Sequence, residues 1–572
     1  MSIKHRAGLA LSLIASALLI ACGGGGGDSS TTPVTPTDSA ISISSVSGST
    51  EETLPCNKGT SNSECALRTY QIMVESFIDG DSSADYNTGY GSSHHKGDLQ
   101  GIIASLDYIK STGVNAIWLT PIFKSTAASG QDQWADRLDA TGYYTSDYFA
   151  IDPKFGTLAQ AKTLVDEAHK RGLYVFFDGV FGHHKTNLVA SPNGRLPVQT
   201  TTCSGMGGSN TLSGLMTCDD YSKAATLDFY NEVAAYWINT LGIDGWRLDQ
   251  AYQVPLSAWR SLRTTVKTAS AAKTYTNAAG ATVNPLGYMV AEIWSGESDI
   301  ATYGYGTTAS PALNSAFDFP GRYRVVKVLA TQEDTSASDA KAQAASLLKQ
   351  VFSTHASYPD HAIPNLMLGN HDLVRFGDLI ERAGYGGTDT TQYWQRHKLA
   401  FAFMAAYSGP VTLYYGDEIG QELANYSAKD SSSSCALSGT CDDHVSRTSG
   451  IVKGVPTTVG AAASTLTTQQ QDLHDTVAAL WALRDANPAL AIGSRTHVYS
   501  DTTLYIDRKD AGTNHVLLAM NTGSSAKTVK IATGVVSGAT SLTDLQSGAS
   551  LSAASGVIEV TIPALSARLL KF

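Results

Sequence analysis

Positive charge is in short supply in this sequence. Forty Lys and Arg residues stand against 51 Asp and Glu, leaving a net charge of −11 and a pI near 5.7. A nucleic-acid binder needs a basic face, so no nucleic-acid partner is expected. Charged residues are sparse overall, 16% against 42% apolar, which is the balance of a soluble globular chain. Cysteine is scarce, with seven in 572 residues, and none forms CxxC. That excludes the common zinc and thioredoxin-type motifs. No apolar run makes a comfortable membrane span.

The N-terminus reads as a processing segment. Lys4 and Arg6 precede the apolar run Ala7–Ile20, which closes in LIAC, Leu19–Cys22. Small and aliphatic residues before a cysteine resemble a bacterial lipoprotein signal. Residues 1–21 are then expected to be removed and Cys22 lipidated, giving an exported protein anchored to a membrane. The outer membrane is expected, on its periplasmic or cell-surface side. Residues 22–50 begin CGGGGGDSSTTPVTPTDSA and read as a flexible tether. The other six cysteines fall into close pairs, Cys56/Cys65, Cys203/Cys218 and Cys435/Cys441. Six cysteines allow about fifteen connectivities. Short loops favour these three local disulfides, in keeping with an oxidising compartment.

The middle of the chain alternates short apolar runs with longer amphipathic stretches. TYQIMVES (69–76), VNAIWLTP (114–121), LYVFFDGV (173–180), IDGWRLD (243–249), YMVAEIW (288–294), IPNLMLGNHD (363–372) and PVTLYYGDE (410–418) read as strands. A weaker run near Leu313–Phe319 supplies an eighth. Helical patterns such as 158–172 lie between them. This predicts a parallel sheet covered by helices, either a (β/α)8 TIM barrel or a doubly wound sheet. The barrel explains an oddity in GWRLDQAYQ (245–253), where Arg247 and Asp249 interrupt an apolar run. Barrel active sites lie at the C-terminal ends of the strands. Asp178, Asp249, Glu292, His371 and Asp372 all fall at such ends.

These residues sit in motifs that resemble the α-amylase superfamily, glycoside hydrolase family 13, over about residues 66–485. DGVFGH (178–183), GWRLD (245–249), EIW (292–294) and NHD (370–372) occur in the family's order, and GYYTSDYFAIDPKFGT (142–157) resembles its tyrosine-bearing segment. The resemblance implies a retaining mechanism with Asp249 as nucleophile, Glu292 as acid and then base, and Asp372 gripping sugar hydroxyls. Arg247 is expected to keep Asp249 ionised. The resemblance further implies that His183 and His371 bond sugar hydroxyls, that Asp178 holds the network and that Tyr143 stacks under the sugar. Trp134, Tyr144 and Trp294 are candidate sugar platforms. The implied partner is an α-glucan or maltooligosaccharide. Hydrolysis, transglycosylation and non-catalytic glucan binding all stay open, since fold does not fix function.

Two positions depart from the family pattern. Gly182 stands where many members carry a calcium-binding asparagine, and Tyr252–Gln253 stand where many have Lys-His. No interdomain calcium is therefore expected. A different structural Ca2+ site is expected in DGDSSAD (79–85) and KGDLQG (96–101), from Asp79, Asp81, Asp85 and Asp98. It resembles the N-terminal calcium loop of neopullulanase-like relatives. The barrel is expected over 51–485, with a domain B inserted at about 184–225 after the third strand. A C-terminal antiparallel β-sandwich is expected over 490–572, from short alternating runs such as TLYIDR and HVLLAMN.

Overall fold

The computed structural model describes residues 40–572 apart from 87, 90, 132, 204–214, 424, 425 and 427. Cys22 and the start of the tether lie outside these residues. Eight parallel strands close into a barrel. They are β1 (Arg68–Ile72), β2 (Ala116–Leu119), β3 (Tyr174–Gly179), β4 (Gly245–Leu248), β5 (Tyr288–Ala291), β6 (Ser315–Phe317), β7 (Ile363–Met367) and β8 (Val411–Tyr414). β8 pairs back on β1, with Val411 opposite Arg68. The doubly wound alternative is thereby set aside.

Strand alternation decides what each side chain meets. In β4, Trp246 and Leu248 turn outward to the helices, and Trp246 Nε1 donates to the Ala234 carbonyl on helix Ala224–Leu241. Gly245 and Arg247 turn inward. A side chain at Gly245 would lie 1.8 Å from the Tyr288 carbonyl, so β4 meets β5 closely only because that residue is glycine. Inside the barrel, Trp118, Phe176, Tyr288, Phe317 and Met367 form an apolar layer. The polar mouth rests on this layer.

Insertions and the sandwich complete the chain. After β3, His183–Lys185, Gln199–Thr200 and Met216–Asp219 form a small antiparallel sheet at the domain B position. Helix Leu158–Lys170 starts with a capping box between Thr157 and Gln160 and is followed by Gly172 at φ +69°. The C-terminal residues form a seven-stranded and a three-stranded sheet around their own apolar core. Two details correct the expectation. Ile41–Ile43 is a strand paired in parallel with Val529–Ile531, and Thr50–Glu51 pairs with Arg495–Thr496. The stretch expected as tether up to residue 50 is thus partly sandwich, and the sandwich is not wholly antiparallel. Ile43 is buried in the sandwich core, and burying that side chain stabilises the strand by about 1.5–3 kcal/mol. Disulfides join Cys56–Cys65, Cys203–Cys218 and Cys435–Cys441. Among the described residues, no helix is long and apolar enough to cross a membrane.

Candidate active site

The mouth is organised around one buried guanidinium. Arg247 lies directly opposite Asp178 in the β3–β4 register. Its Nη1 donates to Asp178 Oδ1 at 2.8 Å and Oδ2 at 2.9 Å, and to Asp249 Oδ1 at 3.0 Å. Its Nη2 is 2.9 Å from Glu292 Oε2, without the alignment of a hydrogen bond. The ring of Trp118 lies 5.0 Å and that of Tyr143 5.6 Å from the guanidinium carbon. A buried charge of this kind is tolerable only when paired and hydrogen-bonded.

The carboxylates differ in their surroundings. Asp249 Oδ1 is held by Arg247, while Oδ2 is buried and has no partner. Glu292 Oε2 accepts the Gln250 backbone N–H at 3.0 Å. Burial raises the pKa of Glu292, with Asp249 and Asp372 adding to the rise and Arg247 opposing it. Burial raises Asp249 as well, against the pull of Arg247. Burial also opposes ionisation of Asp372, but the charges of Arg447 and Arg247 and the bond from Arg447 hold this carboxyl below its usual range. Asp249 has an aligned bond from the charged Arg247, whereas the aligned bond to Glu292 comes from the neutral Gln250 N–H.

The remaining predicted residues converge on the same place. Tyr143 donates to Asp178 Oδ2 at 2.8 Å and stacks on His371, with centroids 5.2 Å apart. His183 Nε2 lies 4.0 Å from Asp249 Oδ2. His371 Nε2 lies 3.2 Å from Asp372 Oδ2. Burial pushes His371 down to about 3, so it stays neutral. Trp294, two residues after Glu292 in the chain, is 45% exposed. It stacks on Phe319 at 5.7 Å and donates to the Tyr323 hydroxyl. Tyr144 is half-buried near His183. The side chain of Trp134 lies outside the described residues.

Four groups escaped the sequence reading. Gln71 Nε2 donates to His371 Nδ1 at 2.7 Å, which leaves the ring proton on Nε2, towards Asp372. Trp118 Nε1 donates to Asp178 Oδ2 at 3.1 Å. Arg447, from the long segment after β8, donates to Asp372 Oδ1 at 2.7 Å and to the His371 carbonyl. The Gln250 backbone N–H reaches Glu292, as described above.

The acidic loop after β1 gathers three of its four predicted ligands. Asp79, Asp85 and Asp98 offer oxygens within 4.8 Å of one another. Asp81 is outside this group; its Oδ1 instead accepts from Ser83, in a turn that faces water. Asp98 caps helix Leu99–Ser111 and accepts the N–H groups of Gly101, Gly80 and Asp81. Asp79 Oδ1 and Asp85 Oδ1 are buried without partners. Two orphaned carboxylate oxygens beside a third carboxylate fit a hard cation. Lys96, 3.3 Å from Asp85 Oδ2, supplies part of the countercharge.

An eight-stranded parallel barrel with a ring of carboxylates at the C-terminal ends of its strands defines a (β/α)8 barrel of the TIM class. The family described as "Alpha amylase, catalytic domain" matches residues 71–191 and 210–492, and the chain belongs to that family. Similar proteins include a cyclomaltodextrinase of Thermoanaerobacter pseudethanolicus, 31% identical over 63% of this chain and 58% of the relative. Neopullulanase 2 of Thermoactinomyces vulgaris is 30% identical over 61% of this chain and 56% of its own length. The chain thus spans less than two thirds of the length of these curated relatives. The crystal structure of AmyP in complex with maltose superposes with a TM-score of 0.82 at 50% identity, covering 89% of this chain and 96% of AmyP.

Proposed function

We propose that this protein is a retaining glycoside hydrolase that cleaves α-glucosidic bonds, mainly α-1,4, in starch-like glucans or maltooligosaccharides. The observation that carries the reading is the sharing of Arg247 between Asp249 and Glu292, with Asp249 Oδ2 left free at the mouth. Glu292 gives its proton to the glycosidic oxygen as Asp249 Oδ2 attacks the anomeric carbon, which breaks the bond and leaves a glucosyl–Asp249 ester. Glu292, now ionised, takes a proton from water, which attacks the same carbon and frees Asp249. Asp372, ionised beside Arg447, accepts sugar hydroxyl bonds. His183 and His371 bond further hydroxyls, and Tyr143 meets the apolar sugar face. The maltose complex of AmyP and the names of the curated relatives support the substrate class.

A sugar acceptor in place of water would make the same site a glucanotransferase, and the exposed Trp294, two residues after Glu292, favours that second reading. Product analysis on starch, pullulan, cyclodextrin, maltotriose and sucrose separates the two. Fresh products of retained anomeric configuration are expected. Inverted products would refute the covalent route, and no product from any of these substrates would favour a glucan-binding relative.

Two features stand beside the catalytic reading. A structural Ca2+ held by Asp79, Asp85 and Asp98 would neutralise their mutual repulsion and fasten the segment after β1. The lipoprotein-type signal supports an exported protein tethered to a membrane through Cys22.

A further inference from the structure

Gln253 lies at the end of the one-turn 3-10 helix Ala251–Gln253 and is 2% exposed, so its carboxamide bonds must be made within the protein. Its Oε1 lies 2.9 Å from His183 Nδ1. Its Nε2 donates to Gln250 Oε1 at 3.0 Å, and the Tyr252 hydroxyl donates to the same oxygen at 2.9 Å. Gln250 has φ +37°, a conformation that costs a non-glycine residue energy and needs outside support. Its backbone N–H is the one bonded to Glu292. His183 in turn faces the free oxygen of Asp249 at 4.0 Å. One carboxamide therefore bonds both His183, which faces Asp249, and Gln250, whose backbone N–H binds Glu292. The space for it exists because residue 182 is glycine. A Cβ there would lie 2.3 Å from Gln253 Oε1 and 2.5 Å from its Cβ.

We infer that Gln253 is a positioning residue, whose neutral carboxamide orients His183 against Asp249 and holds the left-handed Gln250 turn whose N–H binds Glu292. The inference rests on the function proposed above. A carboxamide suits this place because it accepts and donates at once without charge. A carboxylate would accept from His183 but could not donate to Gln250. The groups around His183 are Asp249, the neighbouring His184, Asp219, the half-buried Tyr144 and the Tyr143 carbonyl. Burial leads in holding the imidazole below its ordinary pKa, and His184 adds to this.

The test uses the full chain with Gln253→Glu and Gln253→Met, reading the pH dependence of kcat/KM on maltotriose, kcat and KM separately, and the His183 titration by NMR. In Gln253→Glu the new carboxylate is expected to raise the His183 pKa. The resulting imidazolium keeps Asp249 ionised further into acid, moving the acid limb of kcat/KM to lower pH by about one unit. Gln253→Met removes both bonds and is expected to lower kcat about tenfold with a smaller change in KM. Wild-type pH limbs and wild-type kcat in both variants would overturn the inference, even if their melting temperatures fall. So would an unshifted His183 titration in Gln253→Glu. If the unmutated protein turns over none of these glucans, the functional reading fails, while the NMR titration still decides whether Gln253 governs His183.

Discussion

Arg247→Lys tests the electrostatic core of the site. The substitution keeps one positive charge and most of the aliphatic stem but replaces a planar fork by a point donor. The guanidinium serves Asp178 and Asp249 from Nη1 and faces Glu292 from Nη2. One ammonium can serve Asp178 and at most one of the other two well. The variant therefore loses at least one charge-assisted bond, worth about 1.5–3 kcal/mol. If that loss falls on the transition state, kcat drops about 10- to 100-fold. The pH profile should move as well. The acid limb reports ionisation of Asp249. A weaker contact with the cation raises the pKa of Asp249, so the limb moves to higher pH. The assay is kcat and kcat/KM against pH on a soluble maltooligosaccharide, with circular dichroism to show an intact fold. A folded Arg247→Lys protein with wild-type kcat and an unmoved acid limb would falsify the assignment of Arg247 as the group that keeps Asp249 charged.

Asp249→Asn and Glu292→Gln should each lower kcat about 10⁴-fold or more with the fold intact; near-normal turnover by either sinks the two-carboxylate mechanism. Chelator should lower the melting temperature, and millimolar calcium should restore it, because an ion bound only to the folded state stabilises it by about 2.7 kcal/mol at a hundredfold excess over Kd. An Asp79→Asn/Asp85→Asn double variant should lose that response, and identical melting of the unmutated protein in chelator and calcium would count against the ion. Cys22→Ser should move the protein from the membrane to the soluble fraction, and a soluble wild-type protein with an unmodified N-terminus would defeat the anchor. Asp378, buried with Oδ2 unpartnered, is pushed up to about 8 by burial. Its folded pKa lies above its unfolded one, so the folded state binds the extra proton and stability falls as pH rises from about 4 to 8. Asp378→Asn should flatten that slope in urea titrations, and an unchanged slope would refute the shift.

How far the sequence could be read follows from what each residue does locally. All eight barrel strands were visible as apolar runs, since strands buried on both faces carry nearly continuous apolar sequence. Asp178, Arg247, Asp249, Glu292 and Asp372 stood out because a charge at the end of such a run has no bland explanation. Gln71 and Trp118 did not stand out. Both lie inside strands, where an amide or an indole reads as packing, and only the barrel's closure brings them to His371 and Asp178. Arg447 was hidden differently. It reaches Asp372 from a segment rich in serine and threonine, 75 residues along the chain, and no periodicity links the two. The strand Ile41–Ile43 was lost in the tether because three residues of ISI are too few to show a period, and its partner lies at the other end of the protein.

The charge at the end of β4 also says why fold and chemistry share residues here. Burying Arg247 would cost several kcal/mol without partners. Asp178 is the partner the register supplies, and the register is held by Trp246 and Leu248, packed outward against the helices. A slip by one residue would turn Arg247 into that apolar layer and Trp246 into the mouth. The outward pair therefore disfavours that slip and supports the register in which Arg247 lies opposite Asp178. Fixed by Asp178, Arg247 Nη1 also donates to Asp249 Oδ1, and Nη2 comes to rest 2.9 Å from Glu292 Oε2. The apolar floor of Trp118, Phe176 and Phe317 withholds water from below and strengthens each of these contacts. The two carboxylates thus meet a cation whose position was settled by packing before any substrate arrives, which is the preorganisation that electrostatic catalysis requires.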